Sequence, residues 1–201
     1  MIIKAIKTAL KKMDKKYCKL SQIDYSRTEL NKNEQHHLAK EKYLERPFAY
    51  EFYHQLRKLI DDGEVNFGRP IIQAEVDKRY QHLPCFKKGK IPDFILHVPN
   101  TRNVPNVRNN LAVIEFKMAT NLDELKADFK KLVSFKKNQD LRYKHAIEVI
   151  IGNQHSLESA RKRIDGLNNS RGKVITIIEF NTDSWRANDR EIKYFDVCNI
   201  A

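Results

Sequence analysis

The sequence predicts an α/β protein, of the mixed α+β kind, in which helices flank a mixed central β-sheet. Short runs rich in β-branched and aromatic residues indicate strands, and longer segments with apolar residues at helical spacing indicate helices. Strands and helices alternate in the second half of the chain, and such alternation requires crossovers that place helices on the faces of the sheet. The 201 residues fit one domain with an appendage. We expect a helical N-terminal extension over residues 1–46 and a main domain over residues 47–201.

The N-terminal extension is predicted to begin with an amphipathic helix. Its apolar residues recur at helical spacing among lysines, at Ile3, Ile6, Leu10 and Met13. The main domain opens with another helix, because Pro47 suits the first turn of a helix. The apolar face of this second helix comprises Phe48, Phe52, Leu56, Leu59 and Ile60. The Asp62-Gly63 step is expected to end it.

Three strands are predicted after this helix, over residues 71–79, 91–98 and 111–118. The segment from Asn100 to Asn110, which joins the last two strands, has the composition of a loop. Its asparagine and arginine side chains suit contacts with base edges in a nucleic-acid groove. A loop of this composition also needs no partner, so both interpretations stay open.

The rest of the chain is predicted to alternate between helices and strands. Leu125, Phe129, Leu132 and Phe135 keep helical spacing behind a cap at residues 120–123. A strand over 146–151, a helix over 156–167 and a strand over 174–180 follow. Residues 192–197 are compatible with either a last strand or irregular structure.

The composition favours a polyanionic partner. The chain carries a formal net charge of +12, with 38 Lys and Arg residues against 26 Asp and Glu residues. Such an excess creates a positive field that attracts polyanions, of which nucleic acid is the commonest. An anionic membrane or an acidic protein is the alternative partner on charge alone.

Cysteine usage and hydropathy indicate a cytoplasmic protein without a membrane partner. Cys18, Cys85 and Cys198 are odd in number and far apart, and no CxxC or Cys/His spacing indicates a disulfide framework or a structural zinc site. No apolar run approaches the length of a membrane span. The first residues also lack the apolar region and cleavage site of a signal peptide.

Two neighbouring predicted strands carry residues suited to metal-dependent hydrolysis. Asp93 stands at the start of one strand, and Glu115 and Lys117 lie in the middle of the next. Because residues two apart in a strand project to the same face, Glu115 and Lys117 point together, and pairing of the two strands brings Asp93 beside them. An exposed cross-strand ion pair between Glu115 and Lys117 is the alternative interpretation.

Two adjacent carboxylates repel each other unless a cation neutralises them, and Mg²⁺ prefers oxygen ligands of this kind. A metal ion held there can polarise a phosphodiester and lower the pKa of a bound water. Lys117 beside the metal can stabilise charge that develops on the phosphate. The set therefore indicates hydrolysis of a phosphodiester.

These residues resemble the PD-(D/E)XK nuclease superfamily. The motif appears as Pro92-Asp93, followed by Glu115-Phe116-Lys117 after an apolar run. The resemblance covers about residues 47–180 and implies a restriction-endonuclease-like αβββαβ core. It implies that Asp93 and Glu115 are metal ligands, that the Phe116 carbonyl is a third ligand, and that Lys117 is the catalytic lysine.

The resemblance also implies residues on the two neighbouring helices. Members of the superfamily often carry a glutamate on the helix before the first strand, and Glu51 stands at that place. A polar pair on the helix after the motif recurs in parts of the superfamily, and Asp128 and Lys131 are the nearest equivalents.

The function expected from these features is a Mg²⁺-dependent nuclease, with Mn²⁺ as a substitute metal, that acts on DNA as an endonuclease. A non-catalytic nucleic-acid-binding module, or a regulatory interaction subunit with the same fold, is the alternative. The choice between DNA and RNA, the mode of cleavage and the formation of a homodimer stay open.

Overall fold

The computed structural model describes residues 1–19, 43–75, 91–99, 109–138, 141–168 and 171–194. Its helices are α1 (Ile2–Lys12), α2 (Lys15–Cys18), α3 (Glu45–Asp61), α4 (Leu122–Lys137) and α5 (Gln154–Asp165). Its strands are β1 (Ile71–Ala74), β2 (Phe94–His97), β3 (Asn110–Met118), β4 (His145–Gly152), β5 (Lys173–Asn181) and β6 (Arg186–Tyr194). The predicted α/β class is confirmed.

The strands form one six-stranded sheet in the order β1-β2-β3-β4-β5-β6. The pairs β1/β2, β2/β3 and β5/β6 are antiparallel, whereas β3/β4 and β4/β5 are parallel. Each parallel pair is joined by a crossover that contains a helix, α4 for the first and α5 for the second. The predicted mixed sheet with flanking helices is therefore present.

Each face of the sheet is covered by a different set of helices. Ile114, Phe116 and the residues in line with them pack against α1 and α3. Val113 and the residues in line with it pack against α4 and α5. Because side chains alternate between faces along a strand, Glu115 and Lys117 share the α4 side with Val113.

Most predicted elements agree with the structure, and the differences lie at element ends. Helix α3 buries Phe48, Phe52, Leu56 and Leu59 as expected. The first predicted strand ends at Ala74, and residues 76–90 lie outside the described ranges. The predicted loop at Asn100–Asn110 also lies outside them, apart from residues 109 and 110. The last strand begins earlier than residue 192, at Arg186.

Helix α1 belongs to the same hydrophobic core as the sheet. Ile6 and Leu10 are fully buried in the cluster that also contains Phe48 of α3. Lys7 Nζ contacts Asp189 Oδ1 on β6 at 2.6 Å. The indole of Trp185 donates a hydrogen bond to the Met13 carbonyl. The extension over 1–46 and its boundary stay a prediction, but its first helix contributes buried residues to the core that covers the sheet.

The structure also bears on the thiols and on membrane insertion. Cys18 is buried and forms no disulfide with another described residue, whereas Cys85 and Cys198 lie outside the described ranges. Burial raises the pKa of the Cys18 thiol to about 12, so it stays protonated at neutral pH. Across the ranges that the structure describes, no helix combines the length and apolar character needed to cross a bilayer.

Candidate active site

Asp93, Glu115 and Lys117 come together where β2 enters the sheet beside β3. Asp93 directly precedes β2, and its Oδ2 accepts a hydrogen bond of 2.7 Å from the backbone N–H of Phe116. This contact fixes the Asp93 carboxylate next to the Glu115-Phe116 step of β3. The antiparallel register, in which Phe94 pairs with Ile114, holds the two strands in this alignment.

Lys117 is held by carboxylates from helices on both sides of the motif. Its Nζ lies 3.0 Å from Glu124 Oε2, 3.4 Å from Asp128 Oδ2 and 3.5 Å from Glu45 Oε1. Burial alone would lower the pKa of Lys117, but the carboxylates of Asp128, Glu124 and Glu45 raise it above its ordinary value. Lys117 is therefore a nearly buried, permanently positive group.

Glu115 is almost completely buried, with 2% of its surface exposed. Lys131 Nζ contacts Glu115 Oε2 at 2.6 Å and Asp128 Oδ1 at 3.5 Å. Burial and the nearby Asp93 carboxylate raise the pKa of Glu115 well above its ordinary value, and Lys131 opposes this shift only in part. Burial likewise raises the pKa of Asp93, although its hydrogen bond from Phe116 works in the other direction.

A fourth carboxylate, Glu148 on β4, completes the cluster. The parallel register pairs Glu148 with Glu115, so the two side chains project from adjacent strands toward the same side of the sheet. Glu148 is fully buried, and neither carboxylate oxygen has a hydrogen-bond partner among the described residues. Burial, with Asp128 and Glu115 next in weight, raises its pKa well above the ordinary value.

The glutamate that α3 contributes is Glu45 and not Glu51. Glu51 accepts hydrogen bonds from the backbone N–H of Asp14 at 3.1 Å and from the side chain of Gln55 at 2.8 Å. The bond from Asp14 holds the turn before α2 against α3, and the structure does not bring Glu51 to the cluster. Glu45 instead contacts Lys117 and accepts a hydrogen bond of 3.2 Å from the Met118 backbone N–H.

Sequence reasoning named part of this cluster and missed the rest. The Asp128 and Lys131 pair lies where the resemblance implied, on the face of α4 that covers β3. Glu45 and Glu148 were missed. For Glu148 a signal exists, because it is the one charged residue in the otherwise apolar run Ala146–Gly152. Glu45 carries no comparable signal, since an acidic residue in the first turn of a helix is common.

An open cleft adjoins the cluster at the carboxyl ends of β3, β4 and β5. It has a volume of about 770 Å³, and Glu45 and Met118 form the wall nearest the cluster. Lys15 and Asn153, the N-cap of α5, line other parts of it. In open α/β sheets ligands bind outside the carboxyl ends of parallel strands, and this cleft is in that position.

The cluster has the donor chemistry of a site for a hard divalent cation. The side-chain atoms that it offers to a cation are carboxylate oxygens, and buried oxygens of Glu115, Asp128 and Glu148 lack hydrogen-bond partners within the described ranges. No three described Asp, Glu, His or Cys side chains are arranged closely enough to enclose an ion as they stand, and Lys131 lies between Glu115 and Asp128. The residue types fit a metal, and Lys131 supplies positive charge to the same oxygens.

The geometry thus joins an acidic, buried centre to a positively charged lysine and to a neighbouring cleft. This arrangement suits chemistry on an anionic substrate, because the lysine and a cation can act on the same group. Comparison with known proteins adds no family: no family model, no curated protein and no solved structure matches the chain.

Proposed function

We propose that the protein is a Mg²⁺-dependent nuclease with a restriction-endonuclease-like core that cleaves DNA as an endonuclease. The observation that carries this proposal is the convergence of Asp93, Glu115 and Lys117 on neighbouring strands. The succession of α3, β1, β2, β3, α4 and β4 supports the αβββαβ assignment, since the motif falls on its second and third strands.

Each residue has a role that follows from its surroundings. Asp93 and Glu115 would hold the metal ion through carboxylate oxygens, with the Phe116 carbonyl as the expected third ligand. When bound, a divalent cation polarises the scissile phosphodiester and lowers the pKa of a water molecule. Lys117 stabilises negative charge that develops on the phosphate, and its carboxylate neighbours keep it charged and in place.

The preference for a nucleic-acid substrate is supported by charge. The chain has a net charge of +12, although carboxylates outnumber lysines at the described cluster. The excess positive charge is therefore elsewhere, where it can bind phosphates without reading sequence. Lys15 at the cleft is one such contact close to the cluster.

The test is cleavage of plasmid and linear DNA by the purified chain with Mg²⁺, Mn²⁺ or EDTA. We expect metal-dependent nicking that Asp93→Asn, Glu115→Gln and Lys117→Met each reduce by about 100-fold or more, because each removes a group that acts on the reacting phosphate. Glu64→Gln is the matched control, since Glu64 is an exposed carboxylate paired with Lys12. Wild-type cleavage rates in Glu115→Gln and Lys117→Met would contradict the assignment.

One observation favours a second candidate, a nucleic-acid-binding module without catalysis. Lys131 already neutralises part of the charge on Glu115, as a purely structural ion pair would. A protein of this kind would bind DNA with a steep salt dependence and would release no product with any metal. The cleavage assay, repeated with matched RNA, separates the two candidates and also identifies the preferred nucleic acid.

A further inference from the structure

Glu148 is a buried carboxylate that no described protein group satisfies. It has no exposed surface, and both of its oxygens lack hydrogen-bond partners within the described ranges. Buried polar groups in folded proteins are nearly always hydrogen-bonded, because leaving one unpaired costs about 1–3 kcal/mol. An unpaired carboxylate in this position therefore needs an explanation.

Glu179 on β5 shows how the same sheet treats a carboxylate that has a structural role. Glu179 is also buried, with 5% of its surface exposed, and it lies on the same side of the sheet. Its oxygens accept hydrogen bonds from Arg161 and Arg190. Two guanidinium groups thus satisfy Glu179, whereas no cationic side chain of the described residues makes a hydrogen bond to Glu148.

The two lysines of the cluster are committed to other carboxylates. Lys117 contacts Glu124, Asp128 and Glu45, and Lys131 contacts Glu115 and Asp128. A proton on Glu148 would remove its charge but would leave both oxygens without partners, so protonation alone does not satisfy the group. What the position lacks is a cation that can bind carboxylate oxygens.

The register places a second carboxylate beside Glu148. Glu148 and Glu115 are paired on adjacent parallel strands, which lie about 4.8 Å apart, so their side chains run side by side. We propose that Glu148 is a further ligand of the divalent cation that Asp93 and Glu115 would hold, an inference that rests on the function proposed above. The ion is a hard divalent cation of the Mg²⁺ or Mn²⁺ class, since every donor is an oxygen atom.

The test is Mn²⁺ binding to the full chain, measured by titration calorimetry without nucleic acid. Glu148→Gln keeps the shape of the side chain and removes its charge, so we expect the Kd for Mn²⁺ to rise about tenfold or more. Without metal the melting temperature of this variant should equal or exceed that of the wild type, because an unpaired buried carboxylate has been removed. Glu179→Gln is the matched control, with an unchanged Kd and a lower melting temperature.

A Glu148→Gln variant with the wild-type Kd, or a wild-type chain that binds no Mn²⁺, would overturn the inference. A second measurement does not depend on the folding of any variant: wild-type crystals soaked in Mn²⁺ and examined for anomalous scattering. A peak within about 2.6 Å of a Glu148 oxygen supports the inference, and a peak that contacts only Asp93 and Glu115 overturns it.

The inference and the proposed function can fail separately. A chain that binds Mn²⁺ through Glu148 but cleaves no nucleic acid would contradict the proposed function alone. An active nuclease whose Glu148→Gln variant binds Mn²⁺ normally would contradict the inference alone.

Discussion

Buried carboxylates in this protein fall into two groups that their partners distinguish. Glu51 and Glu179 accept hydrogen bonds from backbone, amide or guanidinium donors, and these contacts join elements of the fold. Glu115 and Glu148 lie side by side and have oxygens with no hydrogen bond among the described residues. The first group stabilises the fold, whereas the second costs free energy that a bound cation would offset.

This distinction leads to a prediction about the two glutamates of α3. Glu45→Gln should lower the rate of DNA cleavage about 10- to 100-fold, because Glu45 positions Lys117 from outside the reacting centre. Glu51→Ala should leave the rate unchanged and lower the free energy of unfolding by about 1–2 kcal/mol, since the hydrogen bonds from the Asp14 N–H and the Gln55 side chain are lost. Steady-state kinetics and urea denaturation of both variants test this. Loss of cleavage in Glu51→Ala with intact stability would restore Glu51 to the site.

The choice between Glu45 and Glu51 was beyond what the sequence reveals. The two residues are separated by six positions, and at 3.6 residues per turn they point in different directions around the helix. Which of them faces the motif depends on how α3 lies against the sheet. Asp93, Glu115 and Lys117 were easier to predict, because strand alternation alone places Glu115 and Lys117 on one side.

At the scale of elements, the parallel pairing of β3 with β4 builds the cluster. The crossover through α4 returns the chain so that Glu148 pairs with Glu115, and the same helix carries Asp128 and Lys131 over both strands. Sequence periodicity predicts such strands and helices but not the register between them. For that reason the apolar run containing Glu148 was predicted as a strand, but the position of Glu148 beside Glu115 was not predicted.

The last strand shows a second limit of the sequence. Three residues of β6 are buried, Ala187, Ile192 and Tyr194, and charged residues fill most other positions. Ala187 joins the cluster on one face of the sheet and Ile192 the cluster on the other. This edge strand therefore lacks both the alternation of a half-buried strand and the continuous apolar run that identified β4 and β5. The helical spacing of apolar residues predicted α1 more clearly than any pattern predicted β6. The buried face of α1 also includes Ala5 and Ala9.

Helix α1 is expected to contribute strongly to stability. Leu10→Ala should lower the free energy of unfolding by about 2–5 kcal/mol, because the Leu10 side chain on α1 is fully buried in the core that covers the sheet. Thermal denaturation should show a fall of several degrees in the melting temperature. Lys11→Ala is the matched control, since Lys11 is exposed on the same helix and should have little effect. Equal melting temperatures for the two variants would show that α1 is dispensable.

At the scale of the whole molecule, charge is segregated. The chain is strongly basic overall, whereas its described carboxylate cluster is acidic and buried. Under the proposed function, a polyanion would be attracted to the molecule by its surface and would meet Lys117, and any cation that the carboxylates hold, at the cluster. Attraction and chemistry depend on different residues, so salt should weaken binding more than it weakens catalysis by a bound complex.

The pH dependence of stability should reflect the buried carboxylates. Burial raises the pKa of Asp93, Glu115 and Glu148, so the folded state binds more protons than the unfolded state once the pH exceeds the ordinary value of about 4. Their contribution to stability is complete below that pH and is lost as the pH rises through the raised values. The pKa of Lys117 and of Lys131 is also raised, so their contributions persist until the pH exceeds about 10.5.

A direct measurement isolates one of these groups. In EDTA, the gain in melting temperature of Glu148→Gln over the wild type should be small near pH 4 and should grow as the pH rises. Saturating Mg²⁺ should reduce or reverse that gain, because metal ions bind the ionised carboxylate. A gain that is constant between pH 4 and pH 8 would contradict the prediction.

The contact between α1 and β6 has a consequence for how the protein is made. Lys7 and Asp189 are 182 positions apart, so a ribosome that adds about 5–20 residues per second produces them about 10–40 s apart. Both α3 and β6 pack against α1. During that interval only α3 has been synthesised and can cover the apolar face of α1. The contact between α1 and β6 can form only after β6 has emerged, so part of the apolar face of α1 stays uncovered until late in synthesis.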